Sequence, residues 1–261
     1  MKRLSGKNAF ISGSSRGIGL ACAKALAEQG ANVFLVARIE VLVKEATSAI
    51  LERSAVEVGF HAVDLRTLEG CQQASHQFLE RFGQADILVN SAGATKGGIF
   101  PEQSDEEMID GFALKFHGAV RLCRQFWPSL KKSKGSIINI VGGAARSPSR
   151  DFSVGGSVNA ALANFSKALA AQGLVDDVNV NWILPGMTET ERMERLLEGK
   201  AKMQNKTKEE VRADSIRHEG IRRLGLPEDV AELAVFLCSP AARHIQGAGI
   251  PVDGGAGKGY Y

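Results

Sequence analysis

The sequence predicts an α/β fold, with a parallel sheet covered by helices on both faces. Short runs of β-branched and apolar residues alternate along the chain with longer amphipathic segments, which is the pattern of parallel strands joined by helices. Six of the seven strand candidates are continuous apolar runs, as expected of strands buried on both sides. A glycine-rich loop directly follows the first strand candidate and opens the first helix.

Each strand candidate is a short apolar run, and the helix candidates are amphipathic segments between them. The predicted strands are residues 8–12, 32–37, 56–63, 86–89, 136–141, 179–184 and 248–252. The predicted helices are residues 17–29, 40–52, 67–82, 104–131, 155–174 and 227–239. The helix over 104–131 has a clear beginning, because Ser104 and Glu107 have the spacing of a capping box.

Segment 188–226 differs from the rest of the chain. It is dense in charged residues and lies between the sixth and the last predicted strands. We expect it to form a helical excursion over the top of the sheet. No change of composition and no long linker divides the sequence, so we predict a single domain over residues 1–261.

Composition excludes several classes of protein. The 32 basic and 29 acidic residues leave a net charge of +3, which is too small to indicate a nucleic-acid partner. No apolar run is long enough for a membrane span. The four cysteines are scattered, as is typical of reduced thiols, and the five histidines show no ligand spacing, so no metal site is predicted. These features indicate a soluble cytoplasmic protein.

The glycine-rich loop predicts a nucleotide site. Residues 12–19 read Ser-Gly-Ser-Ser-Arg-Gly-Ile-Gly, between a strand and a helix. Small residues let the backbone turn tightly and approach a pyrophosphate, which is then stabilised by the positive end of the helix dipole. An ordinary strand–helix turn is the alternative interpretation.

Two arginines predict which nucleotide is preferred. Arg38 follows the second strand, where an acidic residue would bind the ribose hydroxyl of NAD, and Arg16 lies inside the glycine loop. Guanidinium groups form paired hydrogen bonds to phosphate, so the sequence favours NADP(H) over NAD(H). Alternatively, both arginines are solvated surface residues.

Five motifs in the same order resemble the short-chain dehydrogenase/reductase family along nearly the whole chain. They are the glycine loop, Asp64-Leu65, Asn90-Ser91-Ala92-Gly93, Pro185-Gly186, and a C-terminal pattern from Arg223 to Gly255. The resemblance implies one NAD(P)-binding Rossmann domain, with a doubly wound, seven-stranded parallel sheet, assembled as a homodimer or homotetramer. The cofactor contacts that we assign from the loop, the arginines and the resemblance are Gly13, Ser15, Arg16, Gly17, Ile18, Gly19, Arg38, Asp64, Leu65, Asn90, Ala92, Gly93, Ile140, Asn159, Pro185, Gly186, Thr188 and Thr190.

The resemblance fails at the catalytic residues. Active members of the family carry an Asn–Ser–Tyr–Lys set, in which the Tyr exchanges the proton of the substrate oxygen and the Lys lowers the pKa of the Tyr. In this chain the Tyr position falls at Gly155, the Lys position at Asn159, the Ser position at Gly142 and the Asn position at Lys115. Tyr260 and Tyr261 are the only tyrosines, so no small shift in alignment supplies the phenol. A tail folded over the site is the alternative source.

Two of these substitutions are reciprocal, with Lys on the fourth helix and Asn on the fifth, so Lys115 and Asn159 are the candidate catalytic residues. Lys115 is the candidate for proton delivery. Its helical neighbours are apolar or small residues, an unusual surrounding for a cation, and desolvation there would lower its pKa. Otherwise it reaches solvent, the cofactor or a backbone carbonyl. Loop residues Arg146, Arg150 and Asp151 either bind an acidic substrate or are solvated charges, and four serines of segment 142–157 are alternative hydroxyl sources.

Two functions therefore remain open on sequence. One is an NADP(H)-dependent oxidoreductase that acts on a carbonyl or a secondary alcohol of a small-molecule substrate, with atypical proton delivery. The alternative is a catalytically silent NADP(H)-binding sensor or assembly subunit. The cofactor motifs support both equally. The substituted catalytic positions favour the second, whereas the resemblance to a family composed mainly of enzymes favours the first, which is our leading hypothesis.

Overall fold

A computed structural model describes residues 2–93 and 95–259. Its core is one sheet of seven parallel strands in the order β3-β2-β1-β4-β5-β6-β7. The strands are β1 (Asn8–Ser12), β2 (Asn32–Ala37), β3 (Val58–Ala62), β4 (Ile87–Asn90), β5 (Ser136–Ile140), β6 (Asn179–Pro185) and β7 (Gly249–Val252). The predicted doubly wound, Rossmann-type sheet is confirmed, and the strand ends lie within two residues of the predicted ones.

The helices cover both faces of this sheet. They are α1 (Gly17–Glu28), α2 (Glu40–Leu51), α3 (Leu68–Phe82), α4 (Asp105–Phe112), α5 (Ala119–Ser133), α6 (Ser153–Asp176), α7 (Glu191–Gln204), α8 (Lys208–Glu219) and α9 (Pro227–Cys238). On one face, Phe10 of β1 packs against Phe78 and Phe126 with ring centroids 5.8 and 4.8 Å away. On the other, the alanine-rich α1 packs closely against α9. Full burial of a phenylalanine side chain such as Phe10 stabilises the fold by about 1.5–3 kcal/mol.

The strand order reverses beside β1. The chain builds β1, β2 and β3 outward in one direction and then returns to place β4 on the other side of β1, with Ser12 opposite Asn90. The connections after β1 and β4 therefore leave the sheet in opposite directions. In open α/β sheets this opens a crevice at the carboxyl ends of the strands, where ligands bind.

The single helix predicted over 104–131 is three segments. Between α4 and α5 the chain forms a π-helical turn over Ala113–Gly118, a feature that often marks functional sites and that contains Lys115. At the start of α4 the Oγ atom of Ser104 accepts a hydrogen bond from the backbone N–H of Glu107. The predicted capping box is incomplete, because the Glu107 carboxylate pairs with Lys96 at 3.1 Å instead.

Segment 188–226 contains α7 and α8, which share a small apolar core. Leu197 and Val211 are almost fully buried in it. A true capping box begins α8, with Thr207 and Glu210 bonding each other's backbone N–H groups. In the described part of the chain, no helix combines the length and the apolar character that a bilayer crossing requires.

Candidate active site

A cavity of about 1340 Å³ opens along the carboxyl ends of the strands. Residues that follow every one of the seven strands line it, which is the place expected for a ligand of this fold. The cavity is therefore continuous from the glycine loop after β1 to the loops that precede α6 and α7.

The glycine loop forms one wall of the cavity. Its predicted contacts Gly13, Ser15, Arg16, Gly17, Ile18 and Gly19 all line the cavity. A Cβ atom at position 19 would lie 2.2 Å from the Gly13 carbonyl oxygen, so only glycine permits the tight turn. The buried Ser14 hydroxyl holds the loop in place, since it donates to the Ile11 carbonyl and accepts from the Val36 N–H. The loop therefore brings backbone with three glycines and the beginning of α1 to the cavity wall, where a pyrophosphate can approach closely.

Arg16 and Arg38 line the same cavity and are exposed to solvent. Arg16 forms an ion pair with Glu191 of α7 at 3.0 Å, a partner that sequence reasoning missed. An ion pair between two exposed side chains contributes only about 0–1 kcal/mol. Both guanidinium groups therefore remain available to an anionic ligand.

Two predicted cofactor contacts, Asp64 and Asn90, do not line the cavity. Asp64 accepts hydrogen bonds from the backbone and side chain of Arg66, and Asn90 is buried, donating to Asn139 at 2.8 Å. Neither side chain lines the cavity, although their neighbours do. The other assigned contacts that line it are Leu65, Ala92, Gly93, Ile140, Asn159, Pro185, Gly186, Thr188 and Thr190.

Asn159 stands at the family's Lys position and presents an unsatisfied atom. The residue is 4% exposed, and its Nδ2 atom donates to the Gly155 carbonyl at 2.7 Å. Its Oδ1 atom has no hydrogen-bond partner among the described residues. A Cβ atom at Gly142 would lie 3.0 Å from that oxygen. Buried acceptors are normally bonded, so this oxygen, on a residue that lines the cavity, suits a ligand hydroxyl.

Phe152 fills the space of the missing phenol. A Cβ atom at Gly155 would lie 2.1 Å from two carbons of the Phe152 ring, so no side chain fits at this position. Gly155 itself does not line the cavity, whereas Phe152 does. A phenyl ring carries no exchangeable proton. Sequence reasoning missed this residue, because no spacing rule indicates that a ring three positions before the empty Tyr position folds back onto it.

Gly155→Ala is expected to lower the free energy of unfolding by about 1–3 kcal/mol, because the new methyl group meets the Phe152 ring. The matched control is Gly156→Ala in the same helix, where the nearest atom is 3.5 Å from the new Cβ. That change should be neutral or stabilising by up to about 1 kcal/mol, since Ala favours helix more than Gly. Denaturant unfolding measures both variants. Equal effects would show that the ring does not occupy this space.

Lys115 projects from the π-helical turn onto the cavity wall. Its Nζ atom donates to the Val141 carbonyl at 2.5 Å, and its aliphatic chain packs over Gly93. Burial, and to a smaller extent the nearby positive charge of Arg192, together lower the pKa of Lys115 to about 7. No carboxylate of the described residues lies within 4 Å of Nζ. This amine can therefore gain and lose a proton near neutral pH.

The remaining wall is formed by the loop after β5 and by α7. Arg146 lines the cavity and donates to the Gly249 carbonyl, and Asp151 lines it while accepting from Ser149. Arg150 is exposed and does not line the cavity. Sequence reasoning missed Arg192 and Lys200 of α7, although their spacing of eight residues places both on one helix face. Tyr260 and Tyr261, the alternative source of a phenol, lie outside the described residues.

The chain matches a family model described as enoyl-(acyl carrier protein) reductase over residues 13–257. It is 32% identical to an uncharacterized short-chain type dehydrogenase/reductase, y4mP, from Sinorhizobium fredii, over 97% of this chain and 98% of that one. It is 29% identical to the 3-oxoacyl-[acyl-carrier-protein] reductase FabG of Chlamydia trachomatis, over 95% of this chain and 96% of the other.

A solved structure agrees with these relatives. L-sorbose reductase from Gluconobacter frateurii, complexed with NADPH and L-sorbose, superposes with a TM-score of 0.95 at 35% identity. The match covers 99% of this chain and 100% of the reductase chain.

Proposed function

The chain belongs to the short-chain dehydrogenase/reductase family, and we propose that it is an NADP(H)-dependent oxidoreductase with an unusual proton donor. Its substrate in this proposal is a small carbonyl compound or secondary alcohol. The observation that carries the proposal is the position of Lys115, an amine with a pKa near neutrality on the wall of the cofactor-sized cavity.

The residues of the cavity fit the dinucleotide. The glycine loop and the start of α1 would hold the pyrophosphate, and Arg16 and Arg38 would hold the 2′-phosphate. The unsatisfied Oδ1 atom of Asn159 would accept a hydrogen bond from a ribose hydroxyl. When bound, the nicotinamide supplies or accepts a hydride.

Lys115 would perform the proton transfer that the family assigns to Tyr. In carbonyl reduction the protonated Nζ atom donates a proton to the substrate oxygen, and in alcohol oxidation the neutral amine accepts it. The Phe152 ring and Val141 contribute apolar surface to the same cavity. A positioned acid of suitable pKa contributes roughly 10²–10⁴-fold to such a step.

The pH dependence of the rate follows from the lowered pKa of Lys115. Reduction needs the protonated amine, so the single-turnover rate should be highest below pH about 7 and fall about tenfold per unit above it. Oxidation of the alcohol needs the neutral amine, so its rate should rise through the same pH. Stopped-flow absorbance of NADPH on both sides of neutrality measures this. A reduction rate that stays constant through this range would contradict the role of Lys115.

The preference for NADP(H) depends on two arginines. Changing Arg16 and Arg38 together to Ala should weaken NADPH binding at least tenfold per arginine, because charge-assisted hydrogen bonds to phosphate contribute about 1.5–3 kcal/mol each. Binding of NADH, which lacks the 2′-phosphate, should change little. Fluorescence titration measures both, with Arg53→Ala as a control at an exposed arginine outside the cavity. Undiminished NADPH affinity in the double variant would refute the assignment.

A second function is favoured by one observation, the Phe152 ring over Gly155. If Lys115 transfers no proton, the chain is a silent NADP(H)-binding sensor or assembly subunit, since the described residues of the wall include no phenol. Binding of NADPH without hydride transfer would distinguish this function from the first.

We also propose a homodimer or homotetramer in the cytoplasm, acting without a nucleic-acid or membrane partner. The exposed Leu174 and Val175 near the end of α6 support self-association, since side chains of this kind are commonly covered in assemblies. Light scattering after size exclusion measures the mass directly.

A further inference from the structure

One face of α7 places two positively charged side chains on the cavity wall. Arg192, Leu196 and Lys200 are spaced by four residues, so they form a stripe on one side of the helix, and all three line the cavity. Arg192 connects this stripe to Phe152, whose ring it lies over, and to Lys115, whose pKa its charge affects. The wall thus combines an apolar surface with several positive charges.

The Arg192 guanidinium is held at the mouth of the cavity. Its Nη2 atom donates to the Thr95 carbonyl at 2.9 Å, and its Cζ atom lies 5.9 Å from the centroid of the Phe152 ring. The residue is accessible to solvent. Partial desolvation of its guanidinium group and, to a smaller extent, the positive charge of Arg195 nevertheless lower the pKa of Arg192. Arg192 is also close enough to Lys115 to lower the pKa of that amine. Two repelling cations therefore stand on one wall.

The acidic residues of the cavity do not neutralise these two cations. Glu191 pairs with Arg16 at 3.0 Å, and Asp253 accepts hydrogen bonds from the backbone N–H groups of its own turn. Asp151 accepts from Ser149 at 2.7 Å. Glu219 also lines the cavity, but in the described part of the chain no carboxylate lies within 4 Å of Arg192 or Lys115. Such a pair of charges lacks a counter-ion.

We propose that this wall is an anion site, and that the carbonyl substrate carries a carboxylate bound by Arg192. The planar guanidinium forms two parallel hydrogen bonds to a carboxylate, and Leu196 offers apolar surface to the body of the substrate. A bound carboxylate would also offset the repulsion between Arg192 and Lys115. Because less repulsion favours the charged amine, the substrate would help Lys115 to hold the proton that it donates. The assignment of a carboxylate-bearing carbonyl substrate rests on the proposed oxidoreductase function. The existence of the anion site does not depend on that function.

Binding to the protein loaded with NADP⁺, which has no hydride to transfer to a ketone, tests the site. The probes are pyruvate, acetoacetate and 4-oxopentanoate, each compared with its uncharged methyl ester by calorimetry. At least one acid should bind ten or more times tighter than its ester, about 1.4 kcal/mol. Arg192→Gln should remove this difference, whereas Lys202→Gln, an equal loss of charge on α7 outside the cavity, should keep it. If Arg192 only fixed the loop through Thr95, acid and ester would weaken together and their ratio would not change.

Four outcomes decide the proposal. Acids and esters that bind alike to the unchanged protein would overturn it, as would a preference for acids that survives Arg192→Gln. Dihydroxyacetone phosphate, compared with dihydroxyacetone, is the phosphate probe; an Arg192-dependent preference for it alone would overturn the carboxylate assignment. Arg192-dependent binding of an acid that is not reduced when NADPH replaces NADP⁺ would support the anion site while refuting the oxidoreductase function.

Discussion

Lys115→Met is expected to lower the single-turnover rate of carbonyl reduction by about 10²–10⁴-fold, the usual contribution of a positioned acid. Met has nearly the same length and suits the apolar wall around Gly93 and Val141, so the change removes the proton without removing the packing. Affinity for NADPH should change much less than the rate. Stopped-flow absorbance and fluorescence titration measure the two quantities. A variant with the full rate would dismiss Lys115 as the donor.

The free energy of unfolding shows whether the Lys115→Met variant loses activity because it unfolds or because it lacks the amine. In the folded chain the pKa of Lys115 is about 7, against 10.5 for an ordinary lysine, so between these pH values the unfolded state binds more protons. The free energy of unfolding should therefore rise with pH across this window and be lowest below it. The Met variant lacks this slope and should be at least as stable as the unchanged protein at neutral pH. Lys132→Met, at an exposed lysine of α5, should keep both the slope and the rate.

Rebuilding the family's Tyr–Lys pair is expected to give the largest gain of activity. The variant combines Gly155→Tyr and Asn159→Lys with Phe152→Ala, which removes the ring from the space of the new side chain. Lys115→Asn is included because two lysines on this wall would repel each other. Gly142 is left unchanged, since its φ of 129° disfavours any other residue.

The control for this variant carries Phe in place of Tyr at position 155 and is otherwise identical. The two proteins differ only by one hydroxyl group, so the Tyr version should reduce carbonyl compounds about 10²–10⁴ times faster. A panel of ketones and aldehydes, followed through NADPH absorbance, measures the ratio. Equal rates in two well-folded proteins would show that this wall is not where the proton is transferred.

The sheet and the loop could be predicted from sequence because their signals are local. Strands such as β5 and β6 are continuous apolar runs, which the packing of helices on both faces requires. The glycine loop was recognisable because its turn admits no side chain, as at Gly19. Lys115 was recognisable from its apolar helical neighbours, and its lowered pKa agrees with that interpretation.

What could not be predicted depends on contacts between distant segments. Asn90 turns inward because Asn139 of the neighbouring strand accepts its hydrogen bond. The loop before α6 places the Phe152 ring against Gly155, and no spacing rule indicates this. The π-helical turn interrupts a segment that reads as one helix, and the stripe of α7 faces the cavity only because the excursion folds over it.

Transfer of deuterium tests the central claim most directly. The protein is incubated with NADPH that carries deuterium at both C4 positions of the nicotinamide and with a panel of carbonyl compounds that includes the three oxo acids. Mass spectrometry of the alcohols follows. We predict a deuterated alcohol in excess of the protein-free reaction, and its loss in Lys115→Met. Saturable binding of NADPH with no deuterated product from any compound would contradict the account and identify a protein that binds the nucleotide without using it.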